Sequence, residues 1–173
     1  EQALYYARSN SVEKDYLVKE LNLKDMVQKA VRSNARIMIS NKIKISMNNL
    51  DQKIFSDEKW LLFILNQIIS NAVKYKKEDP QISFEARQST NQIFLEIRDN
   101  GIGIAAKDLP RVTDKGYTGT TGRNYEKSTG MGLYLCKKLC DKLQLSFKIE
   151  SKEEEYTIVT IGFPRSSMIF LNE

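Results

Sequence analysis

The sequence predicts an α+β fold, a two-layer α/β sandwich in which one sheet is covered by three helices. Three observations carry this: apolar residues recur at helical spacing in three stretches, alternating apolar patterns fall between and after them, and a glycine-rich stretch of about thirty residues shows neither period. A chain of 173 residues with 41% hydrophobic and 28% charged side chains suits one domain with a single core.

Glu1 to Asn10 reads as the end of a helix, closed by the polar break Ser9-Asn10-Ser11. Residues 1–12 are therefore set apart as a helix end and linker, and 13–173 as the domain. Tyr16, Val18 and Leu21 suggest a short strand. Leu23, Met26, Val27, Ala30, Val31 and Met38 then recur at helical spacing through about Ser40. Lys42 to Met47 alternates apolar and basic residues, with Ile43 and Ile45 on one side, as a half-buried strand does. Asp57 opens a second long helix whose stripe is Leu61, Leu65, Ile68, Ala72 and Tyr75, and Pro80 forbids its continuation.

Two alternating strands follow, Ile82-Phe84-Ala86 and Ile93-Leu95-Ile97, joined by the polar turn Ser89-Thr90-Asn91-Gln92. From Gly101 to Gly132 the chain holds most of its eight glycines and little apolar period, so it reads as a long loop, a functional lid or a disordered segment, with one short helix near Ala105 to Val112. A third amphipathic helix from about Met131 to Leu143 carries Leu135, Leu139 and Leu143. The strands Leu145 to Ile149 and Tyr156 to Phe163 close the chain.

Composition excludes several kinds of chemistry. No apolar run approaches the roughly 20 residues a bilayer span needs. The formal charge of +5 comes from cations interspersed with acids rather than blocks, which is not a nucleic-acid footprint. Cys136 and Cys140 lie four apart in a helical pattern with no second pair, so they read as small buried hydrophobes in a reducing compartment. The chain has no histidine, which removes Ser-His, Cys-His and His-metal mechanisms together.

Asp99 stands out by parity: Ile93, Leu95 and Ile97 mark one face of their strand, and Asp99 falls on that same face. A carboxylate turned inward needs a hydrogen-bond donor, because the desolvation of an unpaired buried ion costs on the order of several kcal/mol. Asn100-Gly101-Ile102-Gly103 follows, with glycines that let the backbone turn sharply and approach a flat ligand. On the preceding helix Gln67, Asn71 and Lys74 share one stripe beside the apolar face, and an amide oxygen there suits a magnesium ion whose negative charge partners are phosphates. Thr129-Gly130-Met131-Gly132-Leu133 leads into the last helix, whose free N–H groups favour an anion. It lacks the lysine of a P-loop and the third glycine of a dinucleotide fingerprint. Taken singly, these features are also an ordinary Asp-Asn-Gly turn, an exposed polar face and a glycine-rich helix start.

Their order is more specific than any one of them. Asn71 on a helix, Asp99-x-Gly101-x-Gly103 after a strand, a long loop and then Gly130-x-Gly132-Leu133 resemble the N, G1 and G2 boxes of the gyrase, heat-shock chaperone, histidine kinase and MutL superfamily over about residues 14–164. The resemblance implies the Bergerat ATP-binding fold, a mixed five-stranded sheet backed by three helices, with ATP and magnesium as cofactors. It implies that Asp99 accepts the adenine amino hydrogen beside Gly101 and Gly103, that Tyr75 flanks the ring, that Asn71 ligates magnesium and that Lys74 reaches the phosphates. Thr129, Gly130, Met131, Gly132 and Leu133 cradle them.

Asn71-Ala72-Val73-Lys74-Tyr75 is closest in pattern to the sensor histidine kinases. Where ATP-hydrolysing branches place a glutamate one turn before the asparagine, this chain has Gln67, which cannot act as a general base, so hydrolysis is expected to be slow. Asp108 to Gly119 resembles the F box and lid of the intramembrane-sensing, bacitracin-sensor group, with Thr113 where that box has phenylalanine. Lys115 and Arg123 are candidates for contacts to the γ-phosphate, with Lys74 and Lys115 as the catalytic cations.

Residues 1–10 resemble the last turns of the dimerisation helix in those kinases. The expected partners are the protein's own dimerisation and histidine-phosphotransfer domain, as a homodimer, and a cognate response regulator, with no nucleic acid. Without a histidine the chain reads as the cytoplasmic catalytic fragment of a membrane sensor kinase. Two other readings share the nucleotide fold: an anti-sigma-factor-type serine kinase and a non-catalytic docking module.

Overall fold

The computed structural model describes residues 16–119 and 129–165. In chain order these form β1 (Val18–Asn22), α1 (Leu23–Ser33), α2 (Ala35–Ser40), β2 (Lys44–Asn48), β3 (Lys53–Asp57) and α3 (Glu58–Lys74). There follow β4 (Gln81–Gln88), β5 (Gln92–Asp99), a 3-10 turn (Leu109–Arg111), α4 (Gly132–Lys142), β6 (Ser146–Lys152) and β7 (Tyr156–Pro164). Residues 1–12, read as a helix end and linker, and Arg123 lie outside the described residues.

Five strands make one mixed sheet in the order β2-β4-β5-β7-β6, with β2 parallel to β4 and the other pairs antiparallel. The alternation seen in the sequence is the alternation of its faces. Ile82, Phe84 and Ala86 on β4, Ile93, Leu95 and Ile97 on β5, and Val159, Ile161 and Phe163 on β7 are all buried in one core. Between them Glu85, Arg87 and Glu96 face the other way, with Arg87 Nη2 3.2 Å from Glu96 Oε2.

The core is closed by helices. α3 buries Trp60, Leu61, Ile64, Leu65, Ile68, Ile69 and Ala72, wider than the single stripe expected, because α1 packs on one side of it and α4 on the other. Asp57 caps α3 as predicted: Oδ1 accepts the Trp60 N–H at 3.0 Å, and Oδ2 accepts the Leu17 N–H at 2.8 Å. Cys136 and Cys140 are unpaired and fully buried on α4. Burial pushes the Cys136 thiol well up and the Cys140 thiol up to about 12, so both remain protonated packing groups.

Four departures from expectation have local causes. The helix read through Ser40 breaks at Asn34, whose side-chain Nδ2 donates to the Ala30 carbonyl at 2.8 Å and to Asn66 Oδ1 on α3 at 2.7 Å. β3, unforeseen, pairs antiparallel with β1 in a separate two-stranded sheet. β2 starts at Lys44, and Ile45 is 37% exposed, since an edge strand has a neighbour on one side only. The helix expected near Ala105 to Val112 is reduced to the 3-10 turn 109–111, started by Pro110. Among the described residues no helix is long and apolar enough to cross a membrane.

Candidate functional site

Several of the predicted site residues lie on or against the C-terminal half of α3. Gln67, Asn71, Lys74 and Tyr75 are half-buried on α3 and its cap, on the stripe their spacing required. Two glycine segments abut this stripe at different heights. At its far end the Tyr75 carbonyl accepts the Ile102 N–H at 3.0 Å. A side chain at Gly101 would drive into that carbonyl and come within 2.8 Å of Asp99 Oδ1, so only glycine fits. Two helical turns back, a Cβ on Gly132 would lie 3.0 Å from Gln67 Oε1. From Gln67 to Tyr75 a helix rises roughly 12 Å, so the two glycine segments bracket an elongated site.

Asp99 ends β5 on the core side, with its neighbour Ile97 buried and Arg98 exposed. Oδ1 accepts the Gly101 N–H at 2.9 Å, while Oδ2 makes no hydrogen bond with any described residue. Burial raises the Asp99 pKa above the ordinary aspartate value, against the lowering effects of the Gly101 N–H and the nearby Arg98. A carboxylate held inward, oriented through one oxygen and open at the other, is a hydrogen-bond acceptor lacking its donor.

The turn carrying Asp99 is pinned from both sides. Asn100 donates from Nδ2 to the Asp79 carbonyl at 3.1 Å and accepts the Gln81 N–H through Oδ1 at 2.8 Å. Gly103, at φ +66°, lies against the Lys152 carbonyl of the β6–β7 hairpin. The Glu154 N–H donates to the Ile102 carbonyl at 2.7 Å and the Ile104 N–H to Ser151 Oγ at 2.8 Å. The sequence shows Asn100 and the two closing strands but not that Asn100, Ser151 and the β6–β7 hairpin hold this turn, because their partners lie 19 to 52 residues away in the chain.

Asn71 makes no side-chain hydrogen bond with any described residue, and its half-buried amide stands between Gln67 and Lys74 on the stripe. The Lys74 ammonium lies 5.3 Å above the Tyr75 ring. Among the described residues no cluster of acidic, cysteine or histidine side chains is placed to hold a metal ion. A cation at Asn71 therefore needs anionic ligands that arrive with it, as metal-bound phosphates do. Uncommitted amide oxygen, adjacent ammonium and phosphate-type helix start fit magnesium brought in by a nucleotide.

The second glycine segment supplies that helix start. Gly130 sits at φ +64°, a left-handed conformation open to glycine, and α4 begins at Gly132 with no side-chain cap at Met131. The Met131 N–H is 3.4 Å from Thr129 Oγ1. The first N–H groups of α4 thus present a positive helix end, with half-buried Leu133 following it. Lys115 is exposed, next to Gly116, whose N–H donates to the Gly130 carbonyl at 3.1 Å. Thr113 is half-buried after the 3-10 turn.

A half-satisfied carboxylate, an amide and an ammonium on one helix stripe and an uncapped glycine-rich helix start are thus carried by a mixed sheet covered by helices, the architecture of an ATP-binding domain. A profile of the histidine kinase-, DNA gyrase B- and HSP90-like ATPases matches residues 56–167, and the chain belongs to that family. It carries the ATP-binding catalytic domain found in sensor histidine kinases. It is 36% identical to the sensor protein BceS of Bacillus subtilis (strain 168) over 95% of this chain and 49% of that protein. It is 34% identical to the sensor histidine kinase YxdK of the same strain over 94% and 51%, and 34% identical to the sensor protein kinase GraS of Staphylococcus aureus (strain JH1) over 96% and 48%. The chain spans about half the length of these curated relatives. In fold it is similar to the catalytic domain of histidine kinase ThkA, with a TM-score of 0.74 at 17% identity over 86% of this chain and 98% of that one. It is also similar to the Acinetobacter baumannii histidine kinase AdeS, with a TM-score of 0.75 at 16% identity over 96% and 76%.

Proposed function

We propose that this chain works as the catalytic domain of a sensor histidine kinase, holding magnesium-ATP and presenting its γ-phosphate to a histidine on a separate helical dimerisation domain of the same protein. From there the phosphoryl group passes to an aspartate of a response regulator. The reading places the domain on the cytoplasmic side of a membrane-anchored, homodimeric kinase.

The observation that carries the nucleotide assignment is the half-satisfied carboxylate of Asp99. The exocyclic amino group of adenine is the donor its second oxygen lacks, and Tyr75, whose carbonyl meets the turn after Asp99, would flank the ring. Asn71 would contribute an amide oxygen to magnesium, which neutralises phosphate charge when bound. Lys74 is the cation on the same stripe, and Gly130 to Leu133 offer backbone N–H groups to the phosphates. Lys115 is proposed as the cation added from the loop. Little covalent work falls to the protein, since phosphoryl transfer depends mostly on positioning and charge neutralisation.

Calorimetric titration of the chain with magnesium-ATP tests this. Binding is expected in the parent and its loss in both Asn71→Asp, which repels phosphate, and Asp99→Asn, which turns an acceptor partly into a donor. Unchanged affinity in both variants would discard the site.

A further inference from the structure

Upstream of the second glycine segment lies a side-chain pair that the nucleotide site does not use. Asp108 is 6% exposed, and its Oδ1 accepts the Tyr117 hydroxyl at 2.7 Å. The Arg111 guanidinium covers the Tyr117 ring at 4.4 Å and reaches Asp114 Oδ2 at 3.3 Å through Nε. Tyr117 N–H also donates to the Asp114 carbonyl at 3.2 Å. Tyr117 is thus held by its hydroxyl, its ring and its backbone.

Its backbone is also what Gly130 rests on. A side chain at Gly130 would run into the carbonyl carbon of Gly116 and the amide nitrogen of Tyr117 at 2.6 Å, while the Gly116 N–H donates to the Gly130 carbonyl. The peptide joining Gly116 to Tyr117 therefore sets where Gly130 sits, and Gly130 sets the direction of the N–H groups that start α4. A hydrogen bond to a buried carboxylate is among the stronger kinds and is directional, so the clasp fixes that peptide more firmly than ring packing alone.

We propose that Tyr117, through its hydroxyl on Asp108, is a positioning residue for the phosphate end of the nucleotide and not for the base end. This rests on the nucleotide reading above. The base end is anchored separately, by Asn100, Tyr75 and the β6–β7 hairpin, so disturbing the clasp leaves Asp99 in place.

The test titrates the chain with magnesium-ATP and, separately, with adenosine, which carries no phosphate. Tyr117→Phe removes the hydroxyl alone and is expected to weaken ATP roughly five- to tenfold, the part of a hydrogen bond to a charged group that reaches the ligand through the Gly116–Tyr117 peptide. Adenosine affinity stays at the parent value, while the melting temperature of the free chain falls by a few degrees because a buried carboxylate oxygen loses its donor. Asp108→Asn keeps an oxygen that accepts the Tyr117 hydroxyl and is expected to lose less than Tyr117→Phe. Equal weakening of both ligands, or ATP binding unaffected by Tyr117→Phe, overturns the proposal. A parent chain that binds neither ligand overturns it together with the nucleotide reading on which it depends, whereas parent binding of both with no selective loss removes only the role of Tyr117.

Discussion

The Tyr75 carbonyl, at the end of α3, accepts the N–H of Ile102 at 3.0 Å, so the helix carrying Asn71 and Lys74 and the turn carrying Asp99 move as one piece. Gly101 is the residue that permits this approach. Gly101→Ala is expected to force the two apart, costing about 1–3 kcal/mol as overpacking does. For a domain of this size that lowers the melting temperature by roughly 2–10 °C. Differential scanning calorimetry of the free chain reads it, and ATP affinity should fall with it.

Asp99→Asn should separate stability from binding. Because burial raises the Asp99 pKa in the folded chain, the folded state prefers the protonated form. The free protein is therefore most favoured below the unfolded value near 3.8 and loses that preference as pH rises through the raised folded value. At neutral pH the ionised carboxylate works against the free fold, and an amide at that position still accepts the Gly101 N–H. The variant is expected to melt at or above the parent temperature without nucleotide, yet to gain nothing from magnesium-ATP. A variant that melts lower and still responds to ATP contradicts both halves.

How much of this was legible beforehand follows from the range of the interactions. Asp99, Asn71, Gly130 and Gly132 announce themselves through parity and spacing, which are local, and the three long apolar helices and the hairpins do the same. β3 was hidden because its five residues pair with β1, 35 or so positions earlier in register, where no alternation links them. The break at Asn34 depends on Asn66 across the helix interface. The clasp of Tyr117 on Asp108 lies within nine residues yet has no period to reveal it, since its geometry follows from the path of a loop.

Glu58 makes a small contribution to the acid sensitivity of the fold. Hydrogen bonds from Lys19 first, at 2.7 Å, and then Lys29 bring its pKa down to about 2, and its place in the first turn of α3 adds the helix dipole. A depressed carboxylate stabilises above its unfolded value near 4.5 and loses that contribution as pH falls toward 2. The two lysines are well exposed and Glu58 partly so, so the effect is screened and amounts to at most about 1 kcal/mol. Glu58→Gln is expected to lower the melting temperature slightly at pH 7 and to flatten its decline between pH 4.5 and 2, with the difference shrinking in high salt. An unaltered acid profile would assign the sensitivity to other carboxylates.

On the nucleotide reading, Gln67 is the residue expected to keep a bound γ-phosphate from hydrolysis in the absence of an acceptor. Its side-chain oxygen stands against Gly132, at the start of α4, whose N–H groups are proposed to face the phosphates, but an amide takes up no proton from water. Gln67→Glu places a base of nearly the same shape there. General-base assistance is worth about 10²–10⁴-fold at full effectiveness, and a half-buried glutamate beside phosphates should realise part of that. Phosphate release from magnesium-ATP by the isolated chain, measured at saturating nucleotide because the added charge weakens ATP binding, is therefore expected to be slow in the parent and to rise at least about tenfold in Gln67→Glu. A rate that stays at the parent level while binding persists would mean that water has no path to the phosphate from this side. The slow hydrolysis would then come from the shape of the site and not from the identity of residue 67.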